Sequence, residues 1–417
     1  MTNPIKIKEY EEIEKTELLK DCDLDKLQAY LKCKNLEQAL KVTRFGIKAK
    51  SWVGIIKYKK YQFQILPKLI CNLHDNQYIL NNLIYMLSYT KKLDIKMSET
   101  TKLCATKNPF IEVLIREYAK SLFNCLKRTT PKKYEREEDN LNYLKGKIKF
   151  TENIRYNVIN PTKFYCEYDE FSENNKLNQL FLFVSTCLYN ISNDCFNKKT
   201  LKFIMNYFND INFVQFDKFN IKKIKLSKNQ ELFKKSFNLA KMFLENSSID
   251  LSKNKFENIT LVWDMNKLFE EFIYEILKKY EKILNCRVYA QKGRKLLVGD
   301  TNKKRNTYVD ILIEINNKKV VLDTKYKKLE TINDFSNTDV FQVSTYCLLH
   351  KANHAILLYP QWTDKKPDKE FFLNTDNFKK LGRYKIYFKT INLKHTYLED
   401  NICKIINEID KILKVIK

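Results

Sequence analysis

The chain has 417 residues, enough for two or three domains that each bury a core, so a mini-protein held together by disulfides is excluded. Lysine and arginine outnumber aspartate and glutamate by 76 to 50, a formal charge of +26, which suits a polyanionic partner. Abundant Lys, Asn and Ile with few Gly and Pro is also what a genome-wide codon bias produces, so charge alone names no partner.

No basic amphipathic helix stands out, which places nucleic acid ahead of an acidic membrane surface. The eleven cysteines, among them Cys22, Cys33, Cys104, Cys166 and Cys347, form no CxxC pair and no regular framework. They read as reduced core thiols of a cytoplasmic protein. The opening "MTNPIKIKEYEEIEK" is too polar for a signal peptide, and no window reaches the roughly 18 apolar residues of a membrane helix.

In chain order, "DCDLDKLQAYLKCKNLEQAL" (21–40) predicts one or two short helices, and "WVGIIKYKKYQFQILPKLI" (52–70) predicts two strands around Lys59 and Lys60. Residues 1–75 therefore read as a small α+β region. Residues 76–252 read as mainly helical, with Pro109 suited to a first helical turn and "YEREEDNLNYLKGKIKFTENIRYN" as a less regular interruption. After Lys253 the rhythm becomes helix, strand, strand, strand, helix, strand. Asp264 suits the cap of a helix with Met265, Leu268, Phe269, Phe272, Ile276 and Tyr280 on one face. A mixed α/β sheet flanked by helices is expected for 253–417, making the whole an α+β multidomain chain.

Inside that last region lies "YVDILIEINNKKVVLDTKYKK" (308–328). If Asn316 and Asn317 form a two-residue hairpin loop, Ile315 faces Lys318, Leu312 faces Val321 and Asp310 faces Asp323. The side-chain period of two places Lys325 on the same face, with Leu322 and Thr324 pointing away. Two carboxylates held together are unfavourable unless a cation or proton lies between them. Mg²⁺ suits such a pair, since it takes a few carboxylate oxygens and completes its shell with water and substrate phosphate oxygens. Lys325 beside it suits a developing phosphorane, so the expected chemistry is metal-assisted phosphodiester hydrolysis. A bare D-x-K is more often a surface salt bridge; the register-matched upstream Asp310 and the flanking apolar runs and helices separate this one from that background.

These residues resemble the PD-(D/E)xK nuclease superfamily, and further segments resemble the McrC family, nuclease subunits of the McrBC modified-cytosine restriction system. "VGIIKYKKYQFQILPKL", "LNYLKGKIKFTENIRYN" with Gly146 and Arg155, "FYCEYDEFSENNKLNQLF" and "DMNKLFEEFI" are each similar to a McrC segment, in order. The resemblance runs from about residue 52 to 360. It implies a restriction-endonuclease-like carboxy-terminal domain in which Asp310 and Asp323 bind Mg²⁺, with Mn²⁺ as the alternative, and Lys325 is the catalytic lysine. Glu270 matches the family's helix glutamate, a further metal ligand directly or through water. Val309 stands where the name motif has proline. Gln342 and Tyr346, four apart on the second helix, resemble a Gln-x-x-x-Tyr feature that touches DNA or supports the site; Lys327 joins them as a candidate DNA contact or support. Plain packing of that helix on the sheet accounts for Tyr346 equally well.

The resemblance further implies an McrB-like AAA+ GTPase ring as partner, with the amino-terminal and middle regions docking into it and stimulating its GTPase. The chain has no G-x-x-x-x-G-K-[ST] loop, so it is not the motor. His350 and His354 are read as flanking a helix end rather than as a metal pair. Cys286, Cys347 and Cys403 lack iron–sulfur spacing, and no small-molecule cofactor is expected. The rival reading is a non-catalytic basic adaptor that binds DNA and regulates an AAA+ partner.

Overall fold

The structure is a computed structural model describing residues 4–14, 24–58, 61–68, 76–90, 109–159, 161–250, 252–298, 304–327, 329, 334–361, 369–372, 384–393, 401–414 and 416. The chain forms two compact units, one built on residues 57–61 and 103–260, the other on 4–56, 62–102 and 261–417. The boundary at 260 lies seven residues past Lys253, where the rhythm of the sequence changes. The amino-terminal strands and the helix Asn76–Tyr89 group with the carboxy-terminal third. Among the described residues, no helix is long and apolar enough to cross a membrane.

The first unit is carried by the helices Pro109–Leu126, Lys176–Tyr189, Cys195–Tyr207 and Lys234–Glu245. Pro109 opens its helix, where a missing N–H costs nothing. Asn175 caps the next by accepting from the amides of Leu177 and Asn178. Leu177, Leu180, Phe181, Val184 and Leu188 then fall at helical spacing on the buried side. The helix Cys195–Tyr207 is less apolar, and Asp194 caps it by accepting from Asn197 N.

The irregular segment folds as a three-stranded antiparallel sheet, Lys133–Leu141, Phe164–Ser172 and Lys147–Ile148, with the helix Phe150–Asn157. Gly146 enters this sheet at φ +70, and a Cβ there would collide with the Glu167 carbonyl oxygen. Only glycine fits that approach.

In the second unit, the sheet carrying the candidate site has six strands in the order Arg287–Val298, Lys304–Ile315, Lys318–Thr324, His354–Pro360, Lys385–Ile391, Lys369–Phe372. The first three are antiparallel neighbours, the next two join in parallel and the last is antiparallel. The sheet is therefore mixed. Leu312 and Val321 pack with Val343, Tyr346 and Cys347 of the helix Asn337–His350. The alternate set Ile311, Ile313, Val320 and Leu322 is buried too, so both faces are covered. The helix Met265–Lys279 is capped by Asp264, whose side chain accepts from Asn266 N, and buries Met265, Leu268, Phe269, Phe272 and Ile276. Tyr85 and Tyr89 of the helix Asn76–Tyr89 meet Phe272 edge-on, at 6.1 and 5.7 Å between ring centres. His350 closes its helix and His354 opens a strand, so they do not form an i, i+4 helical pair. Of the described cysteines, Cys166, Cys187, Cys286 and Cys347 are buried, while Cys33, Cys195 and Cys403 are exposed thiols rather than core ones.

Just after the strand Ile5–Lys8 stands Glu9, fully buried. Its Oε2 accepts from the Lys68 amide at 2.9 Å and the Tyr326 hydroxyl at 3.2 Å, while Oε1 has no partner. Burial pushes its carboxyl from an ordinary 4.5 up to about 8, against the lowering pull of the Lys68 and Tyr326 donors. The folded state thus binds this proton more tightly than the unfolded chain does. Stability from the neutral carboxyl is fully present below about pH 4.5 and is lost as pH rises to about 8. Glu9→Gln, which keeps the shape without the charge, is expected to leave the thermal midpoint unchanged near pH 5 and to raise it by several degrees at pH 8. Calorimetry at the two pH values measures this; equal shifts at both would contradict the assignment.

Candidate active site

The hairpin forms as its sequence predicts. Asn316 and Asn317 take φ +48 and +63, the left-handed pair that a two-residue turn requires. The ladder runs from Ile315 opposite Lys318 through Leu312 opposite Val321 to Ile311 opposite Leu322. It stops there, one step before Asp310 and Asp323. Freed from the ladder, Asp310 turns its Oδ2 to Thr324, accepting from the amide at 3.1 Å and lying 3.4 Å from the hydroxyl. Thr324, expected to point away from the site, instead holds one of its carboxylates.

Asp323 is completely buried. Lys325 Nζ stands 2.7 Å from its Oδ2 as an ion pair, and Oδ1 has no hydrogen-bond partner. Lys325 also donates to Gln342 Oε1 at 3.0 Å and lies 4.0 Å from Asp339. Gln342 in turn donates to the Tyr346 hydroxyl at 2.8 Å. The two helix residues therefore share a face and act in series, Gln342 on the lysine and Tyr346 behind Gln342. Tyr346 is buried in the sheet–helix core, so packing accounts for its ring. Lys327 pairs with Asp339 at 3.1 Å and is otherwise exposed.

Burial raises the pKa of Asp310, partly offset by Thr324 and Lys325. Asp323 is pushed up to about 7 by burial and by the charge of Asp310, against the pull of Lys325. Burial works against the Lys325 ammonium, but Asp323, Asp339 and Asp310 together outweigh it and hold its pKa above the ordinary lysine value. The lysine stays charged, which makes it a donor and a counter-charge rather than a base.

Glu270, on the helix Met265–Lys279, has its pKa raised by burial and by Asp310. Its Oε1 accepts from Gln291 Nε2 at 2.5 Å. Sequence reasoning missed Gln291, Thr324 and Asp339. The cap on Asp310 and the ion pairs of Asp339 join residues 12 to 14 positions apart, with no spacing rule to signal them.

Among the described residues, no group of three or more His, Cys, Asp and Glu side chains gathers tightly enough to hold a metal ion by itself. The residues nonetheless fit Mg²⁺. A buried, orphaned carboxylate oxygen on Asp323 beside a second carboxylate is the hard donor set this ion takes, with waters and phosphate oxygens filling its shell. Asp310 and Asp323 would hold it, with Glu270 as the third carboxylate of the neighbourhood.

A raised pKa at Asp323 means that its charged form is disfavoured where it sits. In the wild type, millimolar MnCl₂ is expected to raise the thermal midpoint; Asp323→Asn is expected to abolish that shift, and to raise the midpoint in EDTA at pH 8 by a few degrees. A variant that is less stable in EDTA and still shifted by Mn²⁺ would rule out this arrangement.

The comparisons with known proteins agree with the segments singled out in the sequence. Residues 47–360 match the family model described as McrBC 5-methylcytosine restriction system component. Among solved structures, the Thermococcus gammatolerans half-complex of McrB AAA+ hexamers with bound McrC contains a chain 21% identical, with a TM-score of 0.76. That match covers 97% of this chain and 100% of that one. A chain of the Thermococcus gammatolerans McrBC complex determined by cryo-EM is 24% identical at a TM-score of 0.54, covering 66% and 87%. No curated protein matches the sequence. With the family model spanning well over half of its length, the chain belongs to the McrBC 5-methylcytosine restriction system component family.

Proposed function

We propose that this chain is the DNA-cleaving subunit of a McrBC-type restriction machine, a Mg²⁺-dependent endonuclease of the PD-(D/E)xK type that acts on modified-cytosine DNA. The observation that carries the reading is the buried strand end where Asp310 and Asp323 meet a lysine held by three partners. Metal bound there supplies Lewis acidity toward a scissile phosphate and a more acidic water. The chain's own residues do the rest. Asp310 is fixed by the Thr324 amide and Asp323 by burial, so neither carboxylate has to reorganise when it binds. Lys325, kept as an ammonium and aimed by Gln342, is placed to donate to a phosphate oxygen as negative charge builds there. The positive balance of the chain favours a polyanionic substrate.

We also infer that the first unit docks into an AAA+ GTPase ring. The support is likeness to a protein solved bound to McrB AAA+ hexamers and an exposed apolar surface on the sheet-and-helix module of 133–172. Ile159 is 97% exposed, Phe150 73% and Val158 71%, with Ile154 and Arg155 on the same short helix. A patch of this kind on a soluble domain marks an interaction surface. Reading of the modified base then belongs to the ring.

The test is cleavage of methylated DNA by the chain with its ring partner, GTP and Mg²⁺. Asp310→Ala, Asp323→Ala and Lys325→Ala are each expected to reduce cleavage by about 100-fold or more while stimulation of the partner's GTPase persists. Ile154→Ser with Ile159→Ser is expected to lose the stimulation instead. Cleavage that survives Asp323→Ala rejects the site. GTPase stimulation with no cleavage by wild type or variant would establish the adaptor role.

A further inference from the structure

We propose that Gln291 is a positioning residue of the nuclease site, holding the Glu270 carboxylate in place beside Asp310 so that it contributes to cation binding. The proposal rests on the reading of Asp310 and Asp323 as metal-binding carboxylates. It begins from a backbone anomaly. Most of the left-handed residues described are asparagines at turns and helix ends, namely Asn35, Asn254, Asn285, Asn316 and Asn317. Among the described residues, Gln291 at φ +47 takes this conformation inside a strand. Glutamine has no special tolerance for it, since its amide is too far from its own backbone to compensate. Conformations of this kind persist where the surroundings impose them, and they gather at functional sites.

Register shows what the kink achieves. Ala290 lies opposite Ile311 and Lys292 opposite Val309, so Gln291 falls across from Asp310. The left-handed turn breaks the two-residue alternation at that point and brings Nε2 onto Glu270 Oε1 at 2.5 Å. Glu270 needs such a hold. It extends from a helix on three rotatable bonds and is repelled by the charge of Asp310. Unrestrained, it would swing toward solvent, away from the other carboxylates. An amide is also the donor the chemistry calls for. A lysine or arginine here would cancel one of the negative charges that attract a divalent cation, whereas Gln291 orients the carboxylate and leaves its charge intact. Gln291 is itself exposed, so no buried packing depends on its side chain.

The test is Mn²⁺ binding to the full-length protein without DNA, followed by the electron paramagnetic resonance of free Mn²⁺. Gln291→Gly removes the amide and relaxes the left-handed backbone, so it is expected to keep the wild-type thermal midpoint in EDTA or exceed it. Its Mn²⁺ affinity is expected to fall about 10- to 100-fold, the range for losing an outer partner of a ligand. Gln291→Ala should fall equally, and Gln291→Gly combined with Glu270→Gln should bind no more weakly than Glu270→Gln alone. Wild-type affinity in Gln291→Gly, or losses that add in the double variant, would overturn the proposal. A wild type that binds no Mn²⁺, or binding that survives Asp323→Ala, would bring down the metal-site reading and this proposal with it. That failure is recognised because it appears before any change at Gln291.

Discussion

Two carboxylates sharing a covered strand end with one ammonium is the arrangement on which the rest of the second unit depends. Left alone, Asp310 and Asp323 destabilise each other, and both are held in uncomfortable surroundings. The fold meets this with three devices. Thr324 donates its amide to Asp310, Lys325 sets its charge against Asp323, and Gln342 fixes the lysine from the facing helix. Each device lowers the cost without removing the excess negative charge, and that residual charge is what a divalent cation would answer. Strain stored at a working site and compensated elsewhere is the usual trade between stability and activity.

The scaffold behind the site explains why its parts stay in register. The helix carrying Glu270 is capped by Asp264 and braced by Tyr85 and Tyr89 through Phe272. Tyr326, the residue after Lys325, meets Phe269 with ring centres 5.9 Å apart and donates to the buried Glu9. The residue following the amino-terminal strand thus reaches the end of the strand Lys318–Thr324 through one hydroxyl. The "ILPKL" segment gains a physical role from the same contact, because the Lys68 amide shares the Glu9 oxygen. The chain's glycines speak similarly. Gly54, in "VGIIKY", sits at φ +131 with room for no Cβ against the Leu261 carbonyl, and Gly146 is equally confined by Glu167.

Much of this was legible in the sequence because it is local. The Asn-Asn turn determines the hairpin register, and the register places Asp310, Asp323 and Lys325 together without any knowledge of tertiary structure. Asp264 and Pro109 mark helix starts by chemistry that operates within one turn. What escaped is what depends on distant parts of the chain. Glu9 and Tyr326 are 317 residues apart, and nothing in the strand Ile5–Lys8 signals that its successor is buried. Gln291 takes a conformation that no propensity assigns to glutamine. The strand Arg287–Val298 runs well past the "CRVYAQ" that predicts it, because its continuation, exposed over residues 293–296, is held by pairing with Lys304–Ile315 rather than by burial. The helix Asn401–Lys414 and the short strand Lys369–Phe372 carried no reading at all.

The central claim is that Asp310 and Asp323 share one divalent cation. Anomalous scattering from crystals grown with Mn²⁺ tests it directly. The account predicts a single strong peak between Asp310 and Asp323, the two carboxylates that would hold the ion. In that complex Lys325 should be released from Asp323. A peak elsewhere, or none with Lys325 still paired to Asp323, would contradict it.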